Sequence, residues 1–209
     1  MSDDVLLTAA AEDAEFYPTP AWAVRRLLER EDCWFLRGGI RWFDPCVGDG
    51  AIVDAVTDLI GVRRWSALDI RSTAWTRSQA IQPRCYLTDG FPSHIDVCVM
   101  NPPFSKALAF AKMAVSHCTH TFMLQRRHWL TAALRQDREW ITAHKPAEFL
   151  FPDRIQFVNG ASDSQEYEWY CWSPAVSGLH FLANTPLEER RLSPRVNPAQ
   201  QRLALEAPK

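Results

Sequence analysis

The segment Ile95–Met100, IDVCVM, constrains the fold more than any other. Apart from Asp96 it is apolar on both faces, and a strand of that kind is stable only when covered on both sides. Short apolar runs recur along the chain, separated by stretches of helical periodicity. Strands are predicted at Gly38–Pro45, Arg64–Ile70, Arg84–Phe91, Ile95–Met100, His120–Arg126 and Glu166–Ser173. Strand material broken by Pro152 lies in Ala147–Gly160, and Leu179–Ala183 is a further candidate. Helices are predicted from Thr19 and Pro20, which suit a cap and a first turn, over Gly48–Gly61, Ser72–Ala80, from Ser105, and over Thr131–His144. Strands alternating with helices specify an α/β fold: a mostly parallel twisted sheet with helices on both faces.

The chain has 209 residues, 47% of them hydrophobic, enough for one packed domain. That domain is expected over residues 16–185, between an N-terminal arm, 1–15, and a polar C-terminal tail, 186–209. A net charge of -2 argues against a surface coated in positive charge but leaves room for a local basic face. No run of 18 apolar residues exists, and the acidic start MSDDVLLTAAAEDAEF lacks the basic region of a secretory signal. A cytoplasmic protein with six reduced cysteines is expected. The His117–His120 segment, HCTH, has no further ligand cluster beside it, so no metal site is assigned.

In an open parallel sheet, ligands bind at the carboxyl ends of the strands. Four loops are predicted to converge there. In the first, FDPCVGDGAI, Gly48 and Gly50 let the backbone approach a ligand closely, and Asp44 suits a cationic amino group better than a phosphate. Asp69 follows Gly50 by nineteen residues and is placed to bind a ribose diol. Asp89 closes the predicted third strand, where it can accept from an adenine amino group. The fourth loop is Asn101–Phe104, NPPF. A ligand with an amine, a ribose and an adenine, but no phosphate, fits the first three.

Three elements resemble the S-adenosylmethionine-dependent DNA methyltransferases that act on amino groups. NPPF at Asn101, Pro102, Pro103 and Phe104 is similar to their catalytic motif. DPCVGDGAI looks like their cofactor loop, and FYPTP, Phe16–Pro20, like the N-terminal segment beside the methionine end of the cofactor. The resemblance covers about residues 16–173, its motif order fits the adenine-N6 branch, and it implies the Rossmann-like methyltransferase fold with a late antiparallel strand. It implies S-adenosylmethionine as cofactor, held by Tyr17, Pro18, Thr19, Asp44, Pro45, Cys46, Gly48, Gly50, Asp69, Ile70, Asp89, Gly90, Phe91 and Asn101. It also implies that Asn101 and the Pro102 carbonyl accept hydrogen bonds from the target amine, and that Phe104 stacks on a base flipped out of DNA.

For the DNA itself, Lys106, Arg126 and Arg127 are candidate phosphate contacts, Trp129 is a candidate base contact, and residues 159–166 make a candidate substrate loop. The chain has no room for the separate recognition domain common among restriction-type members, so relaxed or short-site specificity follows. A dimer would be one way to add contacts. Adenine in RNA and cytosine N4 in DNA remain open as acceptors, although cytosine enzymes of this type more often carry serine at the position of Asn101. A glutamine-amide acceptor and a catalytically retired nucleic-acid-binding module are further alternatives.

Overall fold

The computed structural model describes residues 17–30, 33, 40–61, 65–71, 84–90, 95–157 and 165–191. Within them seven strands form one sheet: β1 Trp42–Asp44, β2 Trp65–Ala67, β3 Val97–Met100, β4 His120–Arg126, β5 Ala147–Leu150, β6 Tyr167–Trp172 and β7 Leu179–Phe181. Their order is β2-β1-β3-β4-β6-β5-β7. Every neighbouring pair is parallel except the two that β6 makes with β4 and β5. The mostly parallel sheet with one late antiparallel strand therefore stands as expected.

Helices cover both faces. On one side, α1 (Ala21–Leu28) and α2 (Ala51–Ile60) bury Trp22, Leu27, Ile52 and Val56 against Val97, Val99, Phe122 and Leu124. On the other lie α3 (Tyr86–Asp89), α4 (Ala107–His117), α5 (Trp129–Gln136) and α6 (Arg138–Ala143). Tyr86, Phe110, Trp129 and Ile141 pack there with Cys98, Met100, Met123 and Tyr170. Successive residues of β3 thus feed opposite cores, which is why its sequence shows no polar face. β6 is tied to the first layer by Trp169, whose indole N–H donates to the Ala23 carbonyl at 3.1 Å.

Four expectations need correction. Arg84–Phe91 is not a strand: residues 86–89 form the short helix α3, and Phe91 lies outside the described residues. The Asp89 carboxylate accepts from the Cys85 backbone N–H at 2.7 Å, while the Asp89 N–H bonds back to the Cys85 carbonyl at 2.8 Å. A local side-chain-to-backbone bond wins over pairing in a segment where only Tyr86 is buried. The predicted helix Thr131–His144 is two helices, α5 and α6. Asp137 interrupts them with φ -150 and ψ 84, and its side chain caps Trp140 at 3.0 Å.

Thr19 does not cap α1, whose N-cap is Pro20; its hydroxyl is used elsewhere, as shown below. The chain after Pro186 begins with a helix, α7 (Leu187–Arg191), not an arm. Glu189 meets the buried Arg26 of α1 at 2.8 Å, and Arg190 meets Asp153 at 3.0 Å. The expected helix Ser72–Ala80, residues 1–15, most of the 159–166 loop and the tail beyond 191 lie outside the described residues.

Candidate functional site

β1 has β2 on one side and β3 on the other, so the chain reverses its direction of travel across the sheet between β1 and β3. Ligands bind at such a switch point because loops leaving adjacent strands diverge there and open a crevice. The loops after β1 and β3 are the DPCVGDG and NPPF segments. Between them lies a cleft open to solvent and lined by residues of both loops.

The first loop folds tightly because its glycines adopt backbone angles that other residues avoid. Gly48 has φ 56 and Gly50, the N-cap of α2, φ 84. The Cys46 N–H donates to the Asp44 carboxylate at 3.0 Å, and the Gly48 N–H donates to Asp69 at 2.8 Å. The latter bond ties the loop to the chain leaving β2. Asp44, Asp49 and Asp69 line the cleft together. Burial pushes the Asp44 carboxyl up to about 7; the Cys46 N–H opposes the rise, and the charge of Asp69 adds to it. Positive charge beside Asp44 would relieve this buried carboxyl.

Asp69 is more engaged than its sequence position suggests. Besides Gly48, it accepts from the Arg71 N–H at 2.9 Å and from the Arg71 guanidinium at 2.9 and 3.1 Å. A diol reaching this carboxylate meets Arg71 beside it. Asp89 and Gly90 do not line the cleft, the carboxylate of Asp89 being spent on its own helix. The walls on that side come instead from Cys85, Tyr86 and Leu87. Gly50 also lies off the lining and acts through the turn it permits. Tyr17, Pro18, Thr19, Pro45, Cys46 and Ile70 all face the cleft. Asp49, inside the DPCVGDG loop, lines it too, as do Arg71, Leu87 and Phe110, which no motif marks in the sequence.

Asn101 leaves β3 at the boundary of the cleft. Its side-chain nitrogen donates to the Tyr17 carbonyl at 2.9 Å and to the Thr19 hydroxyl at 3.1 Å. Only the amide nitrogen donates to a carbonyl, so these bonds orient the group and leave Oδ1 as the acceptor. This explains why YPTP and NPPF occur together. The N-terminal segment reaches across 82 residues to aim one oxygen.

The Pro102 carbonyl accepts from the Gln125 side chain at 3.1 Å. A carbonyl oxygen has two lone pairs, and Gln125 takes one. Phe104 stacks on Tyr17, with ring centroids 5.4 Å apart and planes at 15°, and leans on Tyr167 at 5.8 Å. A second hollow opens beside it, lined by Phe104, Ser105, Gln125, Arg126, His128 and Trp129 among others. Asn101 and Pro103 face the first cavity and Phe104 the second, so NPPF is the wall between them.

The candidate nucleic-acid contacts separate. Lys106 lines the first cleft. Arg127 is exposed and paired with Glu166 at 2.9 Å. Arg126 lies over the Phe104 ring, 4.5 Å from its centroid. Trp129 is not a surface reader: it is 7% exposed and packs on Tyr170 and Trp172. It belongs to the core because α5 starts directly after the turn at β4 and lays its first residue on the sheet.

No protein-family model matches the sequence, and no curated protein matches it. Solved structures do match. One is a candidate RNA methyltransferase from Pyrococcus horikoshii, with TM-score 0.58 and 15% identity over 76% of this chain and 87% of that one. Another is a candidate class I S-adenosylmethionine-dependent methyltransferase from Listeria monocytogenes, with TM-score 0.56 and 11% identity over 82% of this chain and 68% of that one. A third is the type IIG restriction endonuclease BpuSI, with TM-score 0.54 and 16% identity; 81% of this chain matches 26% of that much longer one. At these identities the likeness establishes the Rossmann-like methyltransferase fold.

Proposed function

We propose that the protein transfers a methyl group from S-adenosylmethionine to the N6 amino group of adenine in DNA, by base flipping and with relaxed or short-site specificity. The orientation of Asn101 carries this assignment. A cleft lined with carboxylates adjoins an amide whose nitrogen is tied down on both bonds, leaving an oxygen to accept. That is what an exocyclic amine requires. Its lone pair is conjugated into the ring, and acceptors aimed at its two N–H bonds draw it toward tetrahedral geometry.

The residues fit the cofactor: Asp44 answers its ammonium group, the loop at Gly48 passes close to it, and Asp69 becomes an acceptor for ribose when the Arg71 guanidinium gives up its bonds to that carboxylate. When bound, S-adenosylmethionine supplies an electrophilic methyl on a positively charged sulfur. Asn101 Oδ1 and the Pro102 carbonyl hold the amine. The prolines keep that carbonyl rigid, so little reorganisation remains at the moment of reaction. Lys106, Arg126 and Arg127 are proposed to meet phosphates. The proteins of similar fold named for RNA methylation and for DNA restriction support nucleic acid as the substrate class. Among the described residues no helix is long and apolar enough to cross a membrane.

The test is methyl transfer from tritiated S-adenosylmethionine to duplex DNA, single-stranded DNA and RNA in parallel, with nucleoside analysis of the product. N6-methyladenine in DNA is the expected result. Label on RNA or on cytosine replaces the substrate; label on neither nucleic acid, with cofactor bound, removes it.

A further inference from the structure

The end of β4 clasps the NPPF segment from two sides. Gln125 holds the Pro102 carbonyl, and the next residue, Arg126, lays its guanidinium over the Phe104 ring. Tyr170 fixes the backbone at this point, its hydroxyl donating to the Arg127 carbonyl at 2.8 Å. Given the nucleobase acceptor proposed above, Phe104 is the face on which a flipped base would stack. Tyr17 already stacks on that ring, and Arg126 covers it.

Two observations show that Arg126 is lodged there without a partner of its own. Among the described residues no carboxylate pairs with it, whereas its neighbour Arg127 is paired with Glu166. Its Nε atom is buried with no hydrogen-bond acceptor. A buried donor left unsatisfied favours a move to any site that supplies an acceptor. A guanidinium is also planar and delocalised and stacks on aromatic rings much as a base does.

We infer that Arg126 is a placeholder for the target base: its guanidinium occupies the stacking face of Phe104 in the free protein and swings out to a backbone phosphate when the base enters. The Nε–H that is buried and unpaired in the free state then donates to a phosphate oxygen. The base replaces a planar cation with a planar ring, so Phe104 keeps a stacking partner throughout. Flipping is thereby coupled to the presence of phosphates: a lone nucleoside has to displace the guanidinium with nothing to receive it, while a strand supplies its own receiver.

The experiment uses two probes on the full chain with saturating S-adenosylhomocysteine, which fills the cofactor cleft. Adenosine carries no phosphate; a dA12 oligonucleotide carries many. The Arg126→Ala variant is expected to bind adenosine several-fold more tightly by ligand-observed NMR. Its dA12 binding is expected to lose about 0.7 from the slope of log affinity against log salt, the loss of one phosphate contact on a single strand. Arg126→Lys, which keeps the charge but not the plane, should gain adenosine affinity and keep the salt slope. Adenosine binding that is unchanged or weaker in both variants overturns the placeholder, as does an unaltered salt slope in Arg126→Ala. If wild type methylates DNA while these results fail, only the role of Arg126 falls. If wild type binds neither probe, the nucleobase acceptor falls with it.

Discussion

At the scale of single residues, Asp44 makes the sharpest claim. Its carboxyl, ordinarily near 3.8, is raised to about 7 by burial. A cationic ligand favours the ionised form, so a proton competes with the cofactor below pH 7. Affinity for S-adenosylmethionine should fall, approaching ~tenfold per pH unit, as pH drops from 7 to 5. Calorimetry across that range checks it, and Asp44→Asn should flatten the profile. For the unligated protein the sign is opposite. Between about pH 4 and pH 7 the folded state keeps a proton that the unfolded state has lost, so stability falls as pH rises through this window. Thermal melts of the free protein should show a lower Tm at pH 8 than at pH 5 from this group, and Asp44→Asn should remove the difference.

At the scale of elements, α1 and its lead-in matter to the site through one contact. Thr19→Val removes the hydroxyl that accepts from Asn101 and leaves a half-buried N–H short of a partner. Such a loss costs on the order of 1 kcal/mol. Because the amide is then held by the Tyr17 carbonyl alone, turnover should fall more than cofactor affinity, which steady-state kinetics beside a binding isotherm would separate. The helix α5 supplies a second test. Trp129 is buried against Tyr170 and Trp172, so Trp129→Ala should destabilise the fold by about 3–5 kcal/mol, read from denaturant midpoints. A stable variant with selectively weakened DNA binding would return Trp129 to the surface role that its place in QRRHW suggests.

At the scale of the molecule, the parallel sheet was legible because its strongest signals are periodic. Ile95–Met100 lacks a polar face and lies between two helical layers; His120–Arg126 matches β4 residue for residue. The convergence of DPCVGDG and NPPF follows from the place of both at the carboxyl ends of parallel strands. The rest depended on contacts without a local signature. Arg84–Phe91 has the partly apolar pattern of a strand, yet the Asp89 carboxylate closes a turn that no periodicity reveals. Asp89 is drawn into the site by that pattern. Trp129 looked exposed because it follows basic residues, a pattern that says nothing about which way a helix lays its first turn. The bonds from Asn101 to Tyr17 and Thr19, and from Gln125 to Pro102, join distant segments and emerge only from the folded chain. They also make the central claim testable at one atom. N6-methyladenine formed in DNA by wild type and by Asn101→Ala should be measured in single turnover, with S-adenosylmethionine affinity measured alongside. The variant should make no product while binding the cofactor within a few-fold of wild type. Methylation that survives the loss of this side chain would contradict the assignment of Asn101 as the acceptor that prepares the amine.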